Sequence, residues 1–183
     1  MQRIGVIADN HSRTTDGSDV PQAVLEAFMG VDLIVHCGDA GSWGGLDRLA
    51  SIAPVVGVRG GHNGDGDDTR ISGQTRVLEL EGLRVGVVHD FVQRGVLAQA
   101  HPAMKPATDD TKAAIETLFG SPVDVVLYAG THVPRIGAFG GMLMVNPGSP
   151  TIPLDRSKGS LGAVAIVELE RGFASARIVE LWR

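Results

Sequence analysis

A chain of 183 residues, 43% hydrophobic and with 25 glycines, has the size and composition of one globular, turn-rich domain spanning the whole sequence. Its formal charge of -5 argues against broad binding to DNA, RNA or anionic membranes, which need a basic face. The single cysteine, Cys37, excludes an internal disulfide, and no run approaches the ~18 apolar residues of a membrane span.

The first apolar run, Arg3–Ala8, is a strand rich enough in Ile and Val to be covered on both faces. It begins almost at Met1, which leaves no room for the basic and apolar regions of a leader. A reducing cytoplasm is the expected setting, with Cys37 a small core residue. Val20–Met29 follows as a helix capped by Ser18 or Asp19, with Pro21 in its first turn. Asp32–Cys37 is a second buried strand, Leu46–Ile52 a short helix and Pro54–Val58 a third strand. This alternation predicts a mostly parallel sheet with right-handed crossovers.

The pattern then changes. Arg76–Leu80 and Arg84–His89 flank Glu81-Gly82 as a hairpin. Asp109–Phe119 is a helix capped by Thr108 or Asp109, and Val123–Tyr128 another buried strand. Two more hairpins follow, Ile136–Phe139 with Met142–Val145, and Val164–Leu169 with Ala174–Leu181. Two long loops, Gly60–Gln74 and Phe91–Ala107, are of the length that tends to serve function. The expected fold is an α/β sandwich, with parallel strands first, antiparallel hairpins after and helices on the outside.

In open α/β sheets ligands bind beyond the carboxyl ends of the strands. Those ends carry Asp9-Asn10-His11, Gly38-Asp39, Gly60 to Asp65, His89-Asp90 and Gly130-Thr131-His132. Residues i and i+2 of an extended segment share a side, so Asp9 and His11 can converge. An isolated Asp there is better explained as a helix cap, and an isolated His as a satisfied surface or core residue. As a set, carboxylates and imidazoles suit a divalent transition metal better than Ca²⁺ or Mg²⁺: manganese first, with iron, zinc or nickel as alternatives, in one or two ions. The glycines before the ligands (Gly38, Gly60, Gly130) allow sharp turns and close approach. His36 lies inside a strand and reads as structural; His101 sits in a loop and reads as solvated.

The ordered set D-x-H (Asp9, His11), G-D (Gly38, Asp39), V-R-G…N-x-D (Val58 to Asp65), V-V-H (His89), G-T-H (Gly130 to His132) and N-P-G-S (Asn146 to Ser149) resembles the calcineurin-like metallophosphoesterases. It is most similar to their small single-domain branch, which includes bacterial phosphodiesterases and a retromer subunit. The resemblance runs from Arg3 to the last hairpin. It implies a four-layer α/β/β/α sandwich and a pair of divalent metals. By position Asp9, His11 and His132 hold the first metal, Asp39 bridges both and His89 binds the second.

Two departures fall on the second metal: Gly130 stands where the family has His, and Gly61 follows Gly60 where the family has Asn. Without an insertion the Asn ligand is lost, and His62 takes the place of a catalytic His. With a two-residue insertion Asn63 remains a ligand, and this alignment is preferred here because it also accounts for Asp65. Asn10 and Asp90 are further oxygen donors close by.

The implied activity is hydrolysis of a small phosphate ester, a diester first. Hydroxide generated on the metals attacks phosphorus, Asn10 donates to a phosphate oxygen and, in the alignment without an insertion, His62 protonates the leaving oxygen. The rival reading is a weakly active or inactive scaffold that keeps the fold for protein binding; self-association is left open. Surviving buried carboxylates and imidazoles argue against the rival, because they are costly together without cations.

Overall fold

The computed structural model describes residues 1–91, 109–154 and 159–182. Two five-stranded mixed sheets face each other. The first has the order β10 (Phe173–Leu181), β9 (Gly162–Glu170), β1 (Gln2–Ile7), β2 (Leu33–His36), β3 (Val55–Gly57). The second runs β4 (Thr75–Leu80), β5 (Leu83–Val88), β6 (Val125–Leu127), β8 (Met142–Asn146), β7 (Arg135–Phe139). Helices α1 (Gln22–Ala27) and α2 (Gly44–Ala50) cover the first sheet and α3 (Asp109–Phe119) the second, which gives the expected layered sandwich.

Strand alternation builds the layers. Ile4, Val6 and Ala8 of the first sheet meet Val85, Val87, Val125 and Leu127 of the second between the sheets. Ile7 and Ile34 point the other way, to Val24, Phe28, Leu46 and Leu49 under α1 and α2. Beyond the second sheet, Val126 and Met144 pack with Ile115 of α3. Each fully buried side chain of this kind contributes about 1.5–3 kcal/mol. Two glycines admit the helix layers to the sheets. A Cβ on Gly5 of β1 would lie 2.8 Å from the Phe28 ring, and one on Gly86 of β5 would lie 2.8 Å from the Phe119 ring.

β1, β2 and β3 are parallel, as are β5, β6 and β8. Each sheet thus brings several carboxyl ends to one edge. The last hairpin, β9–β10, returns to the first sheet, where β9 pairs antiparallel with β1.

Two local expectations change. The first helix is shorter than Val20–Met29, and neither Ser18 nor Asp19 caps it: Pro21 precedes Gln22 and no side-chain cap bond forms. The Asp19 carboxylate instead accepts from Ser12 Oγ (2.6 Å), the Arg13 N–H (2.6 Å) and Thr14 Oγ1 (2.9 Å). Three donors from the loop after β1 outcompete the helix start. The Thr108 cap, His101 and all of the Phe91–Ala107 loop except Phe91 lie outside the described residues.

Candidate metal centre

The loops leaving β1, β2, β3, β5 and β6 meet over one edge of the sandwich. Four of the residues they carry, Asp9 (φ 52°), His11 (φ 44°), Asp39 (φ 56°) and His132 (φ 58°), adopt the left-handed backbone that non-glycine residues avoid. Such conformations cost of order 1–3 kcal/mol each and persist only where the surroundings over-determine them. Here the Asp9 N–H donates to the Gly38 carbonyl (3.0 Å), His11 N–H to Asp39 (3.1 Å) and Ser12 N–H to Ala40 (2.9 Å), lacing the first loop to the second.

The side chains converge. One ligand atom each of Asp9, His11 and His132 lies within 4.8 Å of the others, and the same holds for Asp9, Asp39 and His89 and for His11, Asp39 and His62. Asp9 Oδ1 is 3.8 Å from His89 Nε2 and 3.6 Å from His132 Nε2. Asp39 Oδ2 is 3.4 Å from His89 Nε2 and 3.7 Å from His11 Nε2. Of the sequence candidates, Asp9, His11, Asp39, His62, His89 and His132 therefore share one place.

Tautomers follow from the partners. His89 Nδ1 lies 2.9 Å from the Cys37 carbonyl and His132 Nδ1 2.8 Å from the Ile152 carbonyl. A carbonyl can only accept, so each Nδ1 carries a proton and each Nε2 turns its remaining position toward the carboxylates. Asp9 Oδ2 accepts the Gly130 N–H (3.1 Å), whereas Asp9 Oδ1 and His11 Nε2 are buried with no hydrogen-bond partner. Buried polar atoms left without a hydrogen bond are unfavourable as they stand, and a divalent cation would satisfy them. The residues present fit such an ion.

The electrostatics agree. Burial pushes the Asp9 carboxyl up from its ordinary value, against the attraction of His89 and His132. Burial also pushes Asp39 up, but the adjacent His89 imidazole and the hydrogen bond from the His62 N–H outweigh it and hold the group well below the usual carboxylate range. His89 is held down by burial and raised overall by Asp39 and Asp9. Burial, with the neighbouring imidazoles His132, His62 and His89, lowers His11 against the pull of Asp39.

His62 reaches Asp39 twice: its N–H donates to Oδ1 (2.7 Å) and Nδ1 lies 3.1 Å from Oδ2. Its side chain is 76% exposed, so the ring stands at the mouth of the cluster. Asn63 turns elsewhere, closing on Gly60 by Nδ2 to the carbonyl (2.8 Å) and Oδ1 from the N–H (3.4 Å). Asp65 uses its backbone carbonyl to accept from Trp43 Nε1 (2.9 Å). The geometry thus favours the alignment without an insertion over the one preferred from sequence. The reason is local: the chain turns at Gly60, where a Cβ would sit 2.1 Å from Asp39 Oδ1, and this brings residue 62 rather than residue 63 over Asp39.

The Asn10 amide is turned into the protein. It is buried, its Oδ1 is 2.6 Å from His36 Nε2 and its Nδ2 donates to the Ala40 carbonyl (3.0 Å). Asp90 lies beside Gly130, its Cγ 3.5 Å from where a Cβ of residue 130 would be. Two residues that the sequence left without a role support the site. Ser149 Oγ donates to the Asp9 carbonyl (2.7 Å), and Thr151 Oγ1 to the Asn10 carbonyl (2.8 Å). The signal for Ser149 was its place in N-P-G-S; nothing local marked Thr151. A cleft of about 560 Å³ lies beside the loops that carry His11, Asp39 and His62, lined by Ser12, Arg13, Gly41, Trp43, Asn63 and Asp65 among others, none of them a residue of the cluster.

Comparison with known proteins agrees with this architecture. The calcineurin-like phosphoesterase superfamily domain matches residues 2–172. A "probable metallophosphoesterase" of Methanocaldococcus jannaschii is 35% identical over 152 residues, 82% of this chain and 69% of that one. Among solved structures, Vps29 of Chaetomium thermophilum aligns with a TM-score of 0.68 at 20% identity, covering 100% of this chain and 99% of that one. An archaeal phosphodiesterase aligns with a TM-score of 0.65 at 18% identity, covering 97% and 100%. With nearly the whole chain matched and the expected carboxylates and imidazoles gathered at the strand ends, this protein belongs to the calcineurin-like phosphoesterase superfamily.

Proposed function

We propose that the protein is a metal-dependent phosphoester hydrolase acting on a small phosphodiester. The observation that carries this reading is the pair of buried, partnerless atoms, Asp9 Oδ1 and His11 Nε2, inside a ring of carboxylates and imidazoles. Asp9, His11 and His132 would hold one divalent cation, Asp39 would stand between two, and His89 with Asp39 and Asp9 would hold the second. Manganese is the first candidate, ahead of iron, zinc or nickel, because the donors mix oxygen and imidazole nitrogen. When bound, such cations neutralise the phosphate and lower the pKa of water at the site.

The chain's own residues do the rest. Asp39 accepts from the His62 backbone N–H and from Nδ1–H of its ring, which orients the ring; with the imidazole protonated at both nitrogens, Nε2–H gives its proton to the leaving oxygen and His62 is left neutral. Asn10 and Asn63 have no such role, their amides being engaged with His36 and Ala40 and with Gly60. The adjoining cleft of about 560 Å³ has room for one organic arm of a diester. The likeness to an archaeal phosphodiesterase supports the same reading. A scaffold role, the rival reading of the sequence, leaves the orphaned polar atoms unexplained. The absence, among the described residues, of any helix long and apolar enough to cross a membrane is compatible with the proposed cytoplasmic setting.

The test is hydrolysis of bis-p-nitrophenyl phosphate by the full chain with Mn²⁺, against an Asp39→Ala variant. Turnover that falls by at least a thousandfold in the variant is expected. Equal rates for the two proteins across Mn²⁺, Zn²⁺, Fe²⁺ and Ni²⁺ would remove the enzyme reading.

A further inference from the structure

His36 is fully buried at the end of β2, and its hydrogen bonds have a defined direction. The Gly38 N–H donates to Nδ1 (3.1 Å), so Nδ1 is an acceptor and the ring proton sits on Nε2. Nε2–H donates to Asn10 Oδ1 (2.6 Å). That fixes which way the Asn10 amide faces, and Asn10 Nδ2 donates to the Ala40 carbonyl (3.0 Å). The relay leaves the second loop at the residue before Asp39, crosses to the residue between Asp9 and His11, and returns at the residue after Asp39. It closes a ring around three candidate ligands, each of which holds a left-handed backbone.

We propose that His36 and Asn10 form a buried latch that sets the spacing of Asp9 and His11 against Asp39, making both positioning residues for the cation. This rests on the metal-dependent reading above. The direct bonds from Asp9, His11 and Ser12 to the second loop are backbone bonds, which set the loop's course; the facing of the Asn10 amide is set by its own bonds to His36 and Ala40. Without Nε2–H the amide can turn over, presenting its oxygen to the Ala40 carbonyl and repelling it. Outer partners of this kind typically alter metal affinity 10–100-fold.

The experiment titrates Mn²⁺ into the metal-free full chain, followed by the EPR signal of the free ion, for the unaltered protein, His36→Leu, His36→Gln and Leu49→Ala. Leu49 is a buried core residue of α2 and serves as the stability control. Thermal unfolding is recorded for each, and affinity is compared at a temperature where all are folded. The latch predicts a Kd raised 10–100-fold in His36→Leu, and largely restored in His36→Gln, whose amide can still donate to Asn10 Oδ1. It also predicts an unchanged Kd in Leu49→Ala, even where its Tm falls as far. Folded His36→Leu with the Kd of the unaltered protein would overturn the latch and leave the metal reading standing. An unaltered protein that takes up no Mn²⁺ would overturn both. Should His36→Leu fail to fold, Asn10→Leu takes its place with the same expectation and the same overturning result.

Discussion

Asp39 Oδ1 would meet a Cβ of residue 60 at 2.1 Å, far inside any tolerated contact, so the carboxylate and a side chain at 60 cannot coexist as placed. Since the His62 N–H also binds that oxygen, Gly60→Ala must displace Asp39, the loop bearing His62, or both. The expected outcome is a folded protein with hydrolytic activity down at least a hundredfold, measured as kcat/KM with saturating Mn²⁺; an unaffected rate would show that the loop yields without moving Asp39. His36 offers a second check at the same scale. Its burial holds the imidazole at about 3, far below the ordinary 6.5. An unfolded chain takes up this proton near pH 6.5, while the folded one refuses it until about pH 3. The stability due to neutral burial is therefore complete above pH 6.5 and is lost as pH falls, by about 1.4 kcal/mol per pH unit. His11, also lowered, acts in the same direction and His89, raised, in the opposite one, so only a comparison isolates His36. Urea unfolding of the metal-free protein should show the stability gap between the unaltered chain and His36→Gln narrowing by about 2 kcal/mol from pH 7 to pH 5. A constant gap would contradict a depressed His36.

At the level of elements, the loop after β8 joins the two sheets at the site. β8 belongs to the second sheet, yet Ser149 Oγ donates to the carbonyl of Asp9 beyond β1 in the first and accepts the Ile152 N–H (2.8 Å). The Ile152 carbonyl in turn orients His132. Ser149→Ala leaves buried groups short of partners, each at a cost of about 1–3 kcal/mol. It should lower Tm by several degrees, at ~2–4 °C per kcal/mol for a chain of this size, and weaken Mn²⁺ binding as well. Loss of Tm with unchanged affinity would confine Ser149 to stability. The strands, their succession along the chain and the acidic and imidazole residues at their ends were legible because apolar runs closing on Asp or His are local signals. The pairing of β9 with β1 was not, since it joins residues such as Ile4 and Val167 that no local pattern connects. The cap of α1 was misjudged because Asp19 answers to Ser12, Arg13 and Thr14 instead of the helix. The contact between Asn10 and His36 was not legible for a similar reason: a loop Asn and a strand His carry no local sign that they meet across 26 residues.

For the molecule as a whole, the cluster is a joint between its halves. Asp9, His11 and Asp39 extend from the first sheet, His89 and His132 from the second. A cation held by both groups cross-links the sandwich at the edge where left-handed loops and orphaned polar atoms make it least comfortable. Binding to the folded state alone adds about 2.7 kcal/mol when the free ion is at a hundred times its Kd. At ~2–4 °C per kcal/mol this is a rise in Tm of about 5–10 °C over protein kept in a chelator. Protons compete with the cation for the imidazoles, so the increment should be large at pH 7.5 and shrink toward pH 5. The Asp39→Ala variant should lose most of the rise at both pH values, because its missing carboxylate faces His11, His62 and His89 together. Scanning calorimetry of both proteins with Mn²⁺ and with chelator decides the matter: equal Tm values in the two conditions would mean that the two sheets close over this edge without an ion between them.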